Sequence, residues 1–476
     1  MIRQRSIELP ITTIAKDGFG YGQISTPDGH QFEVAVPFTL PGDRVKALLL
    51  RKRRGQYESR LEEVLEPAPQ RITARCAHFA SCGGCRWQHM KYEQQLALKE
   101  AWIRGTFASH ITPDVQWHAI IPCNPPWNYR NKMELSFSND RAGNRYLGLI
   151  MQGSKGRVFQ MKECHLGPAW FAETACIVQK WWEESGLAAY HCHKDSGSLR
   201  NLTVRDGLRT GDRMVMLTVS GNAQFALQRV QLDAFVAFLR DAIEPLNPDH
   251  RLSIFLRIQQ TAKGSPTQFY EMLLYGPDHI REKLFIQNAG EAAPHTMTFK
   301  ISPTAFFQPN TLQAEKLYSK ALQLAQIPEQ ALVYDLYCGT GTLGICAARH
   351  AKQVVGIELV PEAVLDAREN AKQNGLSNVT IHQGDVGKVL ADLASSGKPD
   401  VVLVDPPRVG LDQKAIEQLL AIHANTLVYV SCNPTTQAAN LDILLKGGYK
   451  LTAIQPVDQF PHTVHVENIV ILKRSF

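Results

Sequence analysis

The chain has 476 residues, 44% of them hydrophobic, a formal net charge of +6 and ten cysteines. That length admits two or three domains of ordinary globular composition, and the mild positive charge permits an anionic partner without requiring one. No apolar run approaches the roughly 18 residues of a membrane helix, and Met1-Ile-Arg-Gln-Arg5 leads into alternating residues rather than a signal-peptide core, so a soluble, cytoplasmic protein with no membrane partner is expected.

In chain order, residues 1–66 read as short strands. Asp17-Gly-Phe-Gly-Tyr-Gly22 and Pro41-Gly-Asp43 mark turns, and Val34, Val36 and Phe38, then Val45, Ala47 and Leu49, alternate. A small β-barrel fits, closed by a linker at Pro67 and Pro69. Its positive charge is concentrated at Arg51-Lys-Arg-Arg54, with Arg44, Lys46 and Arg60 nearby. Residues 70–90 hold a cysteine cluster, and residues 91–108 carry a helical pattern through Tyr92, Leu96, Lys99, Ile103 and Phe107. From about 125 to 300 strands dominate: 132–138, 145–151, 201–205, 213–220, 252–259 and 269–275, with helical stretches near 169–185 and 223–243. This predicts a mainly antiparallel α+β domain.

After residue 300 buried-strand runs at 332–336, 353–357, 379–382, 401–404 and 427–430 alternate with helical stretches. That is βαβ alternation, a parallel sheet with helices on both faces. The chain ends on two strands, 450–456 and 464–472, with no helix between them. The expected architecture is therefore α/β and multidomain, with boundaries at 1–66, 67–300 and 301–476, the helix at 91–108 being placed to pack on the last domain.

Gly339, Gly341 and Gly344 form a G-x-G-x-x-G after a strand. Glycines let the backbone approach a ligand closely, but the pattern alone also suits a dinucleotide. Glu358, Asp385 and Asp405 end the next three strands, so polar groups line one carboxyl-edge crevice. Beyond them stand Cys432, in Val-Ser-Cys-Asn-Pro, and Glu467, which interrupts an otherwise apolar strand. A nicotinamide cofactor leaves those two unexplained. A thiol at a strand's carboxyl end suits a nucleophile, and a carboxylate that must be desolvated or paired suits a base.

The chain resembles the RNA uracil-C5 methyltransferases of bacteria, and its C-terminal part the class I S-adenosylmethionine (SAM)-dependent, Rossmann-like methyltransferases. The strings that carry the resemblance are Ser302-Pro-Thr-Ala-Phe-Phe-Gln-Pro-Asn310, Asp335-Leu-Tyr-Cys-Gly-Thr-Gly341, Asp405-Pro-Pro-Arg-Val-Gly410, Ser431-Cys-Asn-Pro434 and Phe460-Pro-His-Thr-Val-His-Val-Glu467. It implies that Gln308, Tyr337, Glu358 and Asp405 contact SAM along with Gly339 and Gly341, and that Asp385 lies near the adenine. Thr342 stands where some members carry asparagine. Cys432 would add to uracil C6 and Glu467 would remove the C5 proton. Arg408 after the Pro-Pro pair, in place of the aromatic that stacks a base, disfavours amino-methylation.

Cys76, Cys82 and Cys85 place three thiols within ten residues, and Cys164 is a distant fourth. Four thiolates suit structural zinc or an iron–sulfur cluster. The resemblance favours [4Fe–4S], in a structural or RNA-contacting role, because uracil methylation moves no net electrons. Residues 1–66 resemble the TRAM domain, a barrel of the OB-like kind that binds single-stranded RNA. Relatives with both features mostly act on 23S ribosomal RNA, so that RNA is the expected partner, with no obligate protein partner. Transfer RNA is the alternative substrate. A non-catalytic RNA-binding protein is a third reading, for which loss of the cysteine or the glycine loop would be the sign.

Overall fold

The computed structural model describes residues 5–25, 29–53, 55–244, 250–261, 264, 266–288, 290–393 and 397–475. The chain forms two compact units, one of Met1–Trp102, Ile150–Gly156 and Phe460–His465, the other of Ile103–Leu149, Arg157–Gln459 and Val466–Phe476.

The first unit contains one six-stranded sheet: β1 (Ser6–Pro10), β2 (Thr13–Ile14), β3 (Gly20–Ser25), β4 (Gln31–Val36), β5 (Arg44–Arg53) and β6 (Gln56–Glu66), in the order β1-β5-β6-β4-β3-β2. Its two edge strands, β1 and β2, are successive halves of one bent segment, so the sheet curls until both edges share it. Alternation buries Leu9, Val34, Val36, Val45, Ala47 and Leu49 together. Helix α1 (Tyr92–Thr106) follows, and its buried Gln95 donates to the carbonyls of Trp87 and Met90 and accepts from the His462 N–H. In the basic run, Arg51 and Arg53 both reach Glu58, and Lys52 lies over the Phe32 ring. Arg54 lies outside the described residues.

The second unit opens with β7 (Gln116–Trp117), β8 (Lys132–Asn139), β9 (Arg145–Gly148), α2 (Ala169–Ser185), β10 (Leu199–Asp206), β11 (Arg213–Ser220), α3 (Arg229–Ile243), β12 (Leu252–Gln260) and β13 (Gln268–Tyr275). Six of these strands form a mixed sheet, β13-β12-β11-β10-β8-β9, with β11 and β12 parallel and the other pairs antiparallel. Its inward residues pack under α2 and α3, Trp170, Phe171, Trp181 and Trp182 filling the space between. Strands β14 (Ile280–Ile286) and β15 (His295–Ile301) pair as a hairpin that periodicity does not expose. Glu282 is the reason: it occupies an inward position of β14, buried among Ile280, Leu284 and Ile286.

The remainder is α4 (Thr311–Ala325), β16 (Leu332–Leu336), α5 (Thr342–Ala347), β17 (Gln353–Glu358), α6 (Pro361–Gln373), β18 (Val379–Gln383), α7 (Val386–Leu393), β19 (Val401–Val404), α8 (Gln413–Ala421), β20 (Thr426–Ser431), α9 (Pro434–Lys446), β21 (Tyr449–Val457) and β22 (Glu467–Arg474). The sheet runs β18-β17-β16-β19-β20-β22-β21-β7. It is parallel from β18 to β20, and β22 runs antiparallel between β20 and β21. Strand order reverses between β16 and β19, so the crevice beyond their carboxyl ends is where this topology holds ligands. Glu467 is the first residue of β22 rather than an interruption within a longer strand.

Candidate active site

The chain leaves β16 through a tight turn. Tyr337 takes φ 61°, and Gly339 and Gly341 take φ 55° and 80° before α5 begins at Thr342. Further on, the Gly344 N–H donates to Asp335 Oδ2 at 2.8 Å, and a Cβ on Gly344 would stand 2.6 Å from that oxygen. Only glycine allows this approach. Asp335 is fully buried, and desolvation pushes its carboxyl up to about 7.

Glu358, at the end of β17, accepts from the Gly339 N–H at 2.9 Å and from the Val360 N–H at 2.8 Å, which ties it to the glycine turn. Asp385 accepts from the Lys388 N–H at 3.1 Å and so caps α7. Asp405 follows β19, and burial pushes its carboxyl up to about 7. Thr342 is buried and bonds the phenol of Tyr318 on α4. Gln308 is buried just before α4: Asn131 donates to its carbonyl at 2.8 Å, and Gln459 donates to its side chain at 3.3 Å. Tyr337, Gly339, Gly341, Thr342, Glu358, Asp385 and Asp405 thus share the carboxyl edge of four adjacent strands. Gln308 is held instead by two side chains from outside that edge.

The antiparallel pairing of β20 and β22 matches Ser431 with Asn468. One step further along, the same register sets Cys432 against Glu467, although 35 residues separate them in sequence. Burial pushes the Cys432 thiol up to about 11; Glu467 and Asp405 add to the shift, while Arg408 opposes it by charge and by a hydrogen bond. Glu467 is 3% exposed, and desolvation, then Asp405, raise its carboxyl well above the ordinary range, again opposed by Arg408. Asn433 caps α9 and donates to the Arg408 carbonyl at 3.0 Å, fixing the Asp405–Arg408 turn beside the thiol. The group contains a thiol, a buried carboxyl, a second, half-buried carboxyl and one exposed guanidinium. It is equipped for covalent addition followed by proton transfer.

Three members of this neighbourhood lie beyond the sequence-based expectations. Arg408 reads in sequence only as a residue that does not stack a base, yet it is the cation facing Cys432 and Glu467. Phe306, inside the Ser302–Asn310 string and two residues before Gln308, is 67% exposed. Tyr318 carries no local signal, because its partner Thr342 is distant in sequence.

The expected metal centre is not seen. Among the described residues no group of three or more His, Cys, Asp or Glu stands where it would hold a metal ion. Cys76, Cys82 and Cys85 belong to the first unit and Cys164 to the second. The Gly84 N–H does point at Cys82 Sγ, at 3.3 Å. No helix among the described residues is long and apolar enough to cross a membrane.

A family model described as tRNA (uracil-5-)-methyltransferase matches residues 271–386 and 390–475, which carry most of these groups. An uncharacterized RNA methyltransferase of Protochlamydia amoebophila is 62% identical over 439 residues, covering 92% of this chain and 99% of the relative. Another, from Halalkalibacterium halodurans, is 33% identical over 98% of this chain and 96% of its own length. Among solved structures, Pyrococcus abyssi tRNA (uracil-54, C5)-methyltransferase in complex with S-adenosyl-L-homocysteine superposes with a TM-score of 0.73 at 24% identity, covering 98% of this chain and 99% of that one, a likeness of fold.

Proposed function

The chain belongs to the RNA uracil-C5 methyltransferase family, and from that premise we propose that it transfers the methyl group of SAM to carbon 5 of a uridine in RNA, with Cys432 as nucleophile and Glu467 as base. The single observation that carries the reading is the β20–β22 register, which sets Cys432 against Glu467 at the edge that also presents the glycine turn.

SAM is the methyl-donor substrate, supplying an electrophilic methyl on a sulfonium. Gly339 and Gly341 are the proposed backbone contacts at the turn, a Cβ on Gly339 meeting nothing within 4 Å, and Glu358, Asp385, Asp405, Tyr337, Thr342 and Gln308 are the proposed side-chain contacts. Glu358 and Asp385 each keep carboxylate lone pairs beyond those used by the backbone. Cys432 gives its proton to water and its sulfur bonds to uracil C6. The pair of the C5–C6 double bond moves toward C5 and O4, giving an enolate. C5 then takes the methyl, releasing S-adenosylhomocysteine. Glu467, having released its own proton to water, accepts the C5 proton; the electrons of that bond rebuild C5=C6, and the thiolate leaves and takes a proton back from water. One proton is released overall. Arg408 favours the ionised form of each group, against burial, which favours the neutral form.

We further assign residues 1–66 as a TRAM-type RNA-binding barrel, 67–300 as a central domain and 301–476 as the catalytic domain. The ion pairs of Arg51 and Arg53 with Glu58 are solvent-exposed and weak, so phosphate can compete for those cations. The [4Fe–4S] proposal rests on the family resemblance of the cysteine string, whose spacing alone suits zinc equally, and the cluster takes no part in the reaction; iron, sulfide and zinc analysis of anaerobically purified protein tests it. We favour 23S ribosomal RNA over transfer RNA, on the pairing of a TRAM-like segment with that cysteine string. The deciding experiment is nucleoside mass spectrometry on 23S, 16S and transfer RNA from a strain lacking the protein. Loss of 5-methyluridine from 23S alone is expected. Loss from transfer RNA alone overturns the substrate, and no loss from any fraction counts against the reaction.

A further inference from the structure

Lys132 and Arg205 are register partners across the antiparallel β8–β10 ladder. Their neighbours Met133 and Val204 enter the core under α2 and α3, so the two cations share the opposite face of the sheet. Directly opposed like charges destabilise a sheet. Neither cation has an ion-pair partner within 4.0 Å among the described residues. Arg205 is 1% exposed; its Nη1 donates to the Ala305 carbonyl at 2.8 Å, while its Nη2 is buried with no partner. The carboxylates that influence it are already committed. Asp366 takes the N–H and hydroxyl of Ser302, and Glu282 takes the N–H groups of Leu208 and Arg209 and the Thr311 hydroxyl. Burial, then Arg205, lower the Lys132 amine to about 8; Arg257 adds to the shift, and Glu134, on the same face of β8, opposes it without forming an ion pair.

This pair adjoins the segment that carries the exposed Phe306 and Gln308. Arg205 grips that segment at Ala305, and Asn131, the residue before Lys132, grips it at the Gln308 carbonyl. A buried, partly unsatisfied guanidinium opposite a half-buried ammonium, with Glu134 the acidic group acting on that ammonium, is an arrangement with more cation than anion.

We propose that Lys132 and Arg205 form an anion site for a backbone phosphate of the RNA strand whose uridine enters the active site. Lys132 makes the contact, while Arg205 holds Ala305 in place and supplies a fixed positive charge beside it. The site rests on the reading that the substrate is RNA, and it adds where the strand is held next to the chemistry.

The test compares wild type, Lys132→Gln and Lys132→Arg for binding of a uridine-containing single-stranded RNA across a salt titration, with SAM affinity measured on the same preparations. Removing one phosphate contact lowers the slope of log K against log salt by about 0.7. Lys132→Gln is expected to show that drop and about tenfold weaker binding at low salt, with SAM affinity unchanged. Lys132→Arg is expected to keep the wild-type slope. An unchanged slope for Lys132→Gln, with a raised melting temperature from relief of the like-charge pair, overturns the site. A loss of SAM affinity with an unchanged slope also overturns it, assigning the anion to the methionine carboxylate. Formation of 5-methyluridine by wild type is scored separately, so a wrong reaction is distinguished from a wrong phosphate site.

Discussion

Arg408 shows how one side chain can bias both of the proposed reacting groups. It lies near a thiol and a carboxyl whose neutral forms burial favours, and it favours the ionised form of each. A thiol raised to about 11 is almost wholly protonated at neutral pH, so adduct formation is expected to rise with pH through the range below that value. Arg408→Gln removes the opposing charge: the profile moves to higher pH, and adduct formation at pH 7.5 slows about tenfold for every pH unit by which the profile moves. Rapid-quench kinetics over pH 6.5–9.5 checks this, and an unmoved profile removes Arg408 from thiolate stabilisation. Cys432 and Glu467 were legible as residue types in local strings, one after a strand and one in an apolar context. Arg408 was not, because its role is set by a neighbour on another strand.

At the scale of elements, the β16–α5 turn is built around a contact that excludes a side chain. A methyl on Gly344 would collide with the Asp335 carboxylate. Gly344→Ala is expected to cost about 1–3 kcal/mol, as overpacking does, and to weaken SAM binding at least tenfold by moving the turn; calorimetry and urea unfolding read the two effects. Asp335→Asn tests the buried charge itself. Its folded value of about 7 lies above the unfolded carboxylate value, so the folded state holds the proton longer and Asp335 lowers stability as pH rises from about 4 to about 7. The stability difference between Asp335→Asn and wild type is therefore expected to grow in the variant's favour across that window, and a difference that does not change with pH would count against it. Element boundaries were legible where periodicity was clean: α2 and β11 fall where the pattern put them, at 169–185 and 213–220. The β14–β15 hairpin was missed because Glu282, inward-facing and satisfied by tertiary donors, breaks the apolar alternation. Residues 223–225 form a separate short turn capped by Asn222, so α3 starts later than its helical pattern suggested.

Across the whole molecule, the two units have separate cores. Leu9 is 1% exposed in the first, among residues of the six-stranded sheet. Leu9→Ala is expected to cost about 2–5 kcal/mol while leaving SAM affinity within about twofold, since the proposed SAM contacts all lie in the second unit; a parallel loss of SAM binding in folded protein would contradict that separation. The parallel sheet after residue 300 was legible from βαβ alternation, and the reversed β22 from the absence of a helix before it. How the chain divides between units was not, since Ile150–Gly156 and Phe460–His465 join the first unit through contacts distant in sequence.

The most direct test of the mechanism is intact mass spectrometry of Glu467→Gln protein after incubation with substrate RNA and SAM, followed by peptide mapping. Without the base, methyl transfer proceeds but elimination stalls, so the predicted result is a covalent protein–RNA adduct bearing the added methyl, with the nucleotide on Cys432 and no adduct in Cys432→Ala protein. An adduct on another residue, or full formation of 5-methyluridine by Cys432→Ala, would contradict it.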